Sequence, residues 1–325
     1  MPPPPYRAPW WLPGRHLQTV WPALVLRPRP PHYRRERWTT PDGDFIDVDL
    51  TDGPAGAPLV VLFHGLEGSA RSPYAATLMH ELVRRGWRGA VPHFRGCSGT
   101  PNDRPRAYHS GDADEIGWIL ERFREHTDGP LFAAGVSLGA NAMLKWLGRE
   151  GDRARAIVTS AAAISAPLVL VAAGTVLGRG FNRVYTREFL RTLKPKTLAK
   201  LDRWPHLADR ARVAAARDFH GFDDAFTAPV HGYRDVLDYW TRASSIGDLR
   251  HIRVPTLVLN ARNDPFLPAA RLPGAADAGP AVTIEQPPTG GHVGFVSGPF
   301  PGNLRWLPAR MLAFFAAAAD GPTAG

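Results

Sequence analysis

The feature that most constrains this chain is an alternation of two kinds of segment. Short apolar runs such as PLVVLF (Pro58–Phe63), GAVPHF (Gly89–Phe94), LFAAG (Leu131–Gly135) and VPTLVLN (Val254–Asn260) are separated by stretches with apolar residues at helical spacing. Continuous apolar runs of this length suit strands buried on both faces. The intervening segments suit covering helices: Pro73 to Arg85, closed by Gly86; Asp112 to Arg124, with Ile116, Ile119, Leu120 and Phe123 on one face; and Leu138 to Leu147. Further strands are expected at Ala156–Thr159 and Val282–Glu285, and a terminal helix around Leu304–Phe315. Ahead of them, Arg37–Leu50 (RWTTPDGDFIDVDL) reads as a hairpin turning at Asp42-Gly43. Strands alternating with helices imply an α/β fold, a mostly parallel sheet with helices on both faces.

The rhythm stops between residues 165 and 245, where helix-like segments rich in Arg, Ala and Leu take over. The expected organisation is therefore a basic arm over 1–35, a core over 36–164 and 246–318, and a helical lid insertion over 165–245. A frayed tail over 319–325 and fraying of the first five residues are also expected.

Composition narrows the class. With 325 residues, 44% hydrophobic and 21% charged, the chain reads as globular and large enough for a sizeable core. One cysteine, Cys97, leaves no intramolecular disulfide and no cysteine-based zinc cluster, which fits a reducing, cytoplasmic setting. The proline-broken N-terminus has no apolar h-region, so no secretory leader is expected. The uncharged run Ile157–Gly178 holds Pro167 and several Ser, Thr and Gly residues, and reads as a buried strand, a loop and a packed helix rather than a membrane span.

The net charge of +9 is unevenly placed. Residues 1–37 carry seven arginines against Glu36, and residues 179–217 carry eleven Arg or Lys against Glu188, Asp202 and Asp209. No nucleic-acid-binding module accompanies them, so nucleic acid is not an expected partner. Basic and apolar residues interleave in the second segment, which suits peripheral contact with an anionic membrane; a solvated face and an arm lying across the core explain the charge equally well.

Chemistry enters with Gly135-Val-Ser-Leu-Gly139. A serine between two glycines, after a buried strand and before a helix, is the setting of a nucleophile elbow, a sharp turn with no room for flanking β-carbons. An activated serine needs a base, and the base an orienting acid, from loops that follow later strands. Asp264 lies just past VPTLVLN, and His292 lies among three glycines in TGGHVG just past the last strand. The oxyanion of an acyl-transfer intermediate needs backbone donors. The Leu138 N–H, one residue after Ser137, is the first candidate, and the Leu66 N–H in FHGLEG (Phe63–Gly68) is the second. His64 in that loop reads as a hydrogen-bonded structural residue.

HGLEGS, FRGCSG (Phe94–Gly99), GVSLGAN, the NDP turn and GGHVGF together resemble the YheT-like branch of the α/β-hydrolase superfamily, the AB hydrolase-4 family. GRHLQTVWP (Gly14–Pro22), PDGDFIDVD, GFNRVY (Gly180–Tyr185) and VPTLVLNARNDP look like the same group, so the likeness runs from about residue 10 to 315. It implies a serine hydrolase with Ser137, Asp264 and His292 as charge-relay residues, acting on carboxylic esters with acyl chains, lipid esters included, with no cofactor and no metal. One departure is visible: Arg15 separates Gly14 from His16, where the group's motif reads Gly-His-Leu-Gln-Thr.

Competing chemistries are weaker. His80-Glu81 opens like a zincin helix, but Arg84 stands where the second ligand would be. No Walker A pattern or dinucleotide fingerprint is present. His109 and Asp114 make the H-x4-D spacing of some acyltransferases, a pattern this composition produces by chance. An acyltransferase using the same serine, and a non-catalytic hydrolase-fold binding protein, are the alternatives. The expected substrates are esters of medium or longer acyl chains.

Overall fold

The computed structural model describes residues 3–319. Eight strands form one sheet in the order β1-β2-β4-β3-β5-β6-β7-β8. These are β1 (Arg34–Thr39), β2 (Phe45–Thr51), β3 (Leu59–Phe63), β4 (Arg88–Pro92), β5 (Leu131–Val136), β6 (Ser160–Ile164), β7 (Thr256–Leu259) and β8 (Val282–Glu285). The β1–β2 and β2–β4 pairs are antiparallel, and every later pair is parallel. The hairpin meets the expected turn, with Trp38 opposite Ile46.

The apolar runs are continuous because alternate side chains enter two different cores. Val61, Phe63 and Ala133 pack with Ile116, Leu120, Met143 and Leu144 of α3 (Ala113–Glu125) and α4 (Leu138–Glu150). Val60, Leu62, Phe132 and Ala134 pack with Met79 and Leu82 of α2 (Pro73–Arg84) and Met311, Leu312 and Phe315 of the terminal helix. Asp112 caps α3 by accepting from the Glu115 N–H, which is the usual device for an orphan first-turn donor.

Several boundaries differ from the sequence reading. The strand expected at Ala156–Thr159 is not there: α5 (Asp152–Ile157) takes its first residues, and β6 is the small-residue run SAAAI that follows. Alanines win here because β6 lies between two strands with both faces covered. The arm contains α1 (Arg15–Trp21), and β1 begins at Arg34 inside the expected arm. The N-terminal end is held against the body of the protein at two points. The Trp306 indole donates to the Pro4 carbonyl, and Tyr6 is buried and donates to the Val296 carbonyl. The terminal helix runs Trp306–Ala319 and so takes in the first residue of the expected tail; the rest of that tail, 320–325, lies outside the described residues.

Between β6 and β7 the chain leaves the sheet and forms α6 (Leu170–Leu177), α7 (Arg183–Arg203), α8 (Arg210–Ala215), α9 (Phe219–Phe222), α10 (Ala228–Val230) and α11 (Val236–Ala243). They share a core of their own around Leu190, Leu193, Phe222, Phe226, Tyr239 and Trp240. The terminal helix, next in chain order, is α12. Among the described residues no helix is long and apolar enough to cross a membrane.

Candidate active site

Ser137 stands between β5 and α4 with φ 53° and ψ −117°, a left-handed backbone that costs a non-glycine residue energy. The glycines on either side earn their place through close approach. A β-carbon on Gly135 would lie 2.5 Å from the Ala140 Cα, and one on Gly139 would lie 2.5 Å from the carbonyl oxygens of Phe63 and His64. The turn can be this sharp only because strand and helix touch backbone to backbone. The Ser137 N–H donates to the Ile164 carbonyl at 2.8 Å, which ties the turn to the end of β6.

The loops after β7 and β8 bring the two expected partners to this serine. His292 Nε2 lies 3.0 Å from Ser137 Oγ, and His292 Nδ1 lies 2.7 Å from Asp264 Oδ2. With Nδ1–H donating to the carboxylate, Nε2 is left to accept from the serine hydroxyl. Asp264 is buried, and its other oxygen accepts from the Phe266 N–H at 2.8 Å. The Phe266 ring lies 4.2 Å from the His292 ring, between centroids, and covers it.

Leu66 and Leu138 line the same cavity as Ser137 and His292, and neither N–H has a protein acceptor among the described residues. The Leu66 loop is held from several sides. The Gly65 N–H donates to Tyr74 Oη at 2.9 Å. Glu67, at φ 55°, donates its N–H to Tyr108 Oη and accepts the Tyr108 proton on its carboxylate, at 3.0 and 2.9 Å. Lys196 of α7 reaches the same carboxylate at 2.8 Å, so the helical insertion touches the loop directly. His64 donates from Nδ1 to the Gly65 carbonyl and accepts the Phe94 N–H on Nε2, and burial pushes it down to about 3. It is a neutral structural residue, as expected from the sequence.

The cavity measures about 570 Å³, within the range of small-molecule sites. The insertion lines it with an apolar group, Leu170, Ala173, Leu177, Phe189, Phe222 and Phe226, together with polar residues such as Thr197 and Asp223. Another stretch of wall is polar and includes Arg95 and Lys200. Lys200 donates to Asn102 Oδ1 and to the carbonyls of Arg104 and Arg106, and burial pushes its ammonium down to about 8. Cys97 is half-buried beside Glu67, its thiol pushed up to about 12 by burial and then by that carboxylate.

Other sequence candidates lie apart. His109 is buried, with its ring 4.2 Å from that of His231, while Asp114 is exposed and pairs with Arg149, so the H-x4-D residues do not converge. His80 donates to the Arg29 carbonyl, and Glu81 pairs with Arg84 on α2.

Sequence reasoning missed the part played by the arm. Gln18 is 2% exposed, and its carboxamide oxygen accepts from Asn263 Nδ2 at 2.9 Å and from the Gly290 N–H at 3.0 Å. Thr19 Oγ1 accepts from the His292 N–H at 2.9 Å. Both residues belong to the HLQT stretch, so the signal was visible as a motif, but nothing in its spacing says which loop it meets.

Comparison with known proteins agrees with this architecture. The model of the alpha/beta hydrolase fold family matches residues 58–299. The Escherichia coli (strain K12) protein YheT, which bears an esterase name, is 39% identical over 302 residues, covering 91% of this chain and 88% of its own. Phospholipase ABHD3 of Mus musculus is 29% identical over 93% of this chain and 75% of its own. Among solved structures, the Pyrococcus furiosus esterase PF2001 superposes with a TM-score of 0.52 at 16% identity, over 89% of this chain and 97% of that one, a likeness of fold. The chain belongs to the alpha/beta hydrolase fold family, in the branch that contains YheT, and is a hydrolase of the esterase and lipase type.

Proposed function

We propose that Ser137, His292 and Asp264 form the catalytic triad of a carboxylic ester hydrolase, and that its substrates carry medium or longer acyl chains. The observation that supports this most is the continuous chain from Asp264 through His292 to Ser137 Oγ, at 2.7 and 3.0 Å, ending in a cavity lined by Leu66 and Leu138, whose N–H groups have no protein acceptor among the described residues. In this scheme His292 Nε2 takes the hydroxyl proton as Ser137 Oγ bonds to the ester carbonyl carbon. Asp264 holds the ring in the tautomer that leaves Nε2 free and stabilises the imidazolium. The Leu66 and Leu138 N–H groups receive the oxyanion. His292 then gives its proton to the departing alcohol, and the acyl chain stays on Ser137 as an ester. Water, deprotonated by the same imidazole, attacks that ester; the acid leaves and the proton returns to Ser137.

The substrate class follows from the apolar part of the cavity lining. Leu170, Ala173, Leu177, Phe222 and Phe226 offer an acyl chain only apolar contact. Each buried methylene contributes about 0.8 kcal/mol, roughly a fourfold gain in kcat/KM per carbon until the space is filled. On this reading residues 165–245 act as the lid. A relative named phospholipase fits a lipid-type ester. Contact with an anionic membrane is part of the same reading: exposed Trp10 and Leu17 lie on the arm, and exposed Phe181 and Val184 lie just before and at the start of α7, with Arg15, Arg179 and Arg183 near them in sequence.

A fluorophosphonate probe tests the centre. Wild type is expected to label and to hydrolyse p-nitrophenyl esters, and Ser137→Ala to do neither; equal labelling of the two would end the proposal. An ester panel across acyl lengths, and vesicle binding with and without anionic lipid, test the substrate and membrane parts.

A further inference from the structure

The loop that carries His292 is held in an unusual way. Four consecutive backbone donors, the N–H groups of residues 290 to 293, each donate to a side-chain oxygen and none to a backbone carbonyl. Gly290 donates to Gln18 Oε1, Gly291 to Asn263 Oδ1, His292 to Thr19 Oγ1 and Val293 to Ser165 Oγ, at 3.0, 3.0, 2.9 and 3.1 Å. Two of the four acceptors lie on the arm. A third, Asn263, is itself held by Gln18, through Nδ2–H donation to Oε1 at 2.9 Å. Gln18 therefore bonds to the loop of the base and to the residue beside the acid, Asp264.

The remaining valences of the two arm residues face inward on the arm. Gln18 Nε2 donates to the Leu12 carbonyl at 3.0 Å, and the Thr19 hydroxyl donates to the Arg15 carbonyl at 2.7 Å while accepting from His292. The backbones also touch. A β-carbon on Gly294 would lie 2.0 Å from the Gln18 carbonyl oxygen, and one on Gly291 would lie 2.8 Å from the Thr19 N. Gly291 and Gly294 are there to let the arm in.

We propose that Gln18 and Thr19 are positioning residues for the His292 base: the arm is a strap that sets the distance and angle of the imidazole to Ser137 and Asp264. The inference rests on the triad reading above. Its chemistry is simple. The His292 backbone has no ladder to fix it, so the register of its Cα depends on the acceptors it meets, and reacting groups misplaced by about 1 Å lose about a hundredfold in rate.

The test compares Thr19→Val with Thr19→Ser. Valine keeps the branched shape and removes the oxygen; serine keeps the oxygen. Thr19→Val is expected to lower kcat on a p-nitrophenyl ester by about ten- to a hundredfold with KM within about threefold, and Thr19→Ser to stay within about threefold of wild type. Tyr6→Phe removes the arm's bond to the Val296 carbonyl without touching residues 290–293, and is expected to lower Tm while leaving kcat within about twofold. Should Thr19→Val not fold, Gln18→Leu is read by the same criterion. A Thr19→Val enzyme with wild-type kcat, or a Thr19→Ser enzyme as slow as Thr19→Val, overturns the strap. Active Ser137→Ala enzyme would instead overturn the triad, so the two failures are distinct.

Discussion

Two regions meet at Ser137 and are built by opposite means. Below it, the ends of the strands are placed through their backbone: Gly135 and Gly139 allow contacts no β-carbon could share, and four consecutive backbone N–H groups hold the His292 loop by hydrogen bonds to fixed side-chain oxygens. Above it, the insertion is placed by side chains, with short helices joined around Leu193, Phe222, Phe226 and Trp240 and a cavity left between them and the sheet. Backbone contacts allow little adjustment, whereas packed side chains trade volume with modest cost. Reacting atoms gain from the first kind of construction, and acceptance of varied substrates gains from the second.

That contrast breaks if substitutions on the two sides have the same kind of effect. The largest effect is expected on the sheet side. Asp264→Asn keeps the shape but favours the wrong imidazole tautomer, and should lower kcat by about 10³- to 10⁴-fold for short and long esters alike. On the insertion side, Ala173→Phe fills part of the apolar wall. It should lower kcat/KM for long-chain esters at least tenfold relative to butyrate, with butyrate hydrolysis within about threefold of wild type. Equal losses across the ester panel would place Ala173 with the machinery rather than with selection. The two regions are joined by the Lys196–Glu67 pair, half-exposed on the lysine side. Lys196→Met should cost about two- to fivefold in kcat/KM, and Lys196→Arg should recover most of it.

The last effect is on stability rather than on rate. His64 in the sheet-end loop and His109 against the insertion are both buried and both pushed down to about 3 by desolvation. The unfolded chain protonates them near 6.5, so it binds protons that the folded chain refuses. Their contribution to stability is complete above about pH 6.5 and is lost as pH falls toward 3, at up to about 1.4 kcal/mol per pH unit for each. Urea midpoints between pH 7 and pH 4.5 should fall less steeply for His109→Gln than for wild type.

The sheet side was far more legible in the sequence than the insertion. PLVVLF, LFAAG and VPTLVLN announce buried strands, and the residues that follow them, Leu66, Ser137 and Asp264, take their places because loops at strand ends converge. The strand SAAAI escaped notice since small residues carry little apolar signal, although a crowded central position requires them. The insertion could be read as helical and no further, because its shape depends on which aromatic meets which. The contact of Gln18 and Thr19 with residues 290–292 spans more than 270 positions and leaves no period to detect.

Glu67, Ser137, Ser165 and Val293 all have φ between 51° and 58°, and each adjoins or belongs to the group of residues around the serine hydroxyl. Side chains in that conformation cost of order 1–3 kcal/mol apiece. For an engineer seeking a heat-tolerant variant, glycine or asparagine at these four positions is a natural first choice on thermodynamic grounds. The same positions set the angles of the loops that carry the proposed oxyanion donors, nucleophile and base. Thermal tolerance and turnover should therefore trade against each other most sharply here, and gains in one without loss of the other are better sought in the outer faces of α2, α3 and α12.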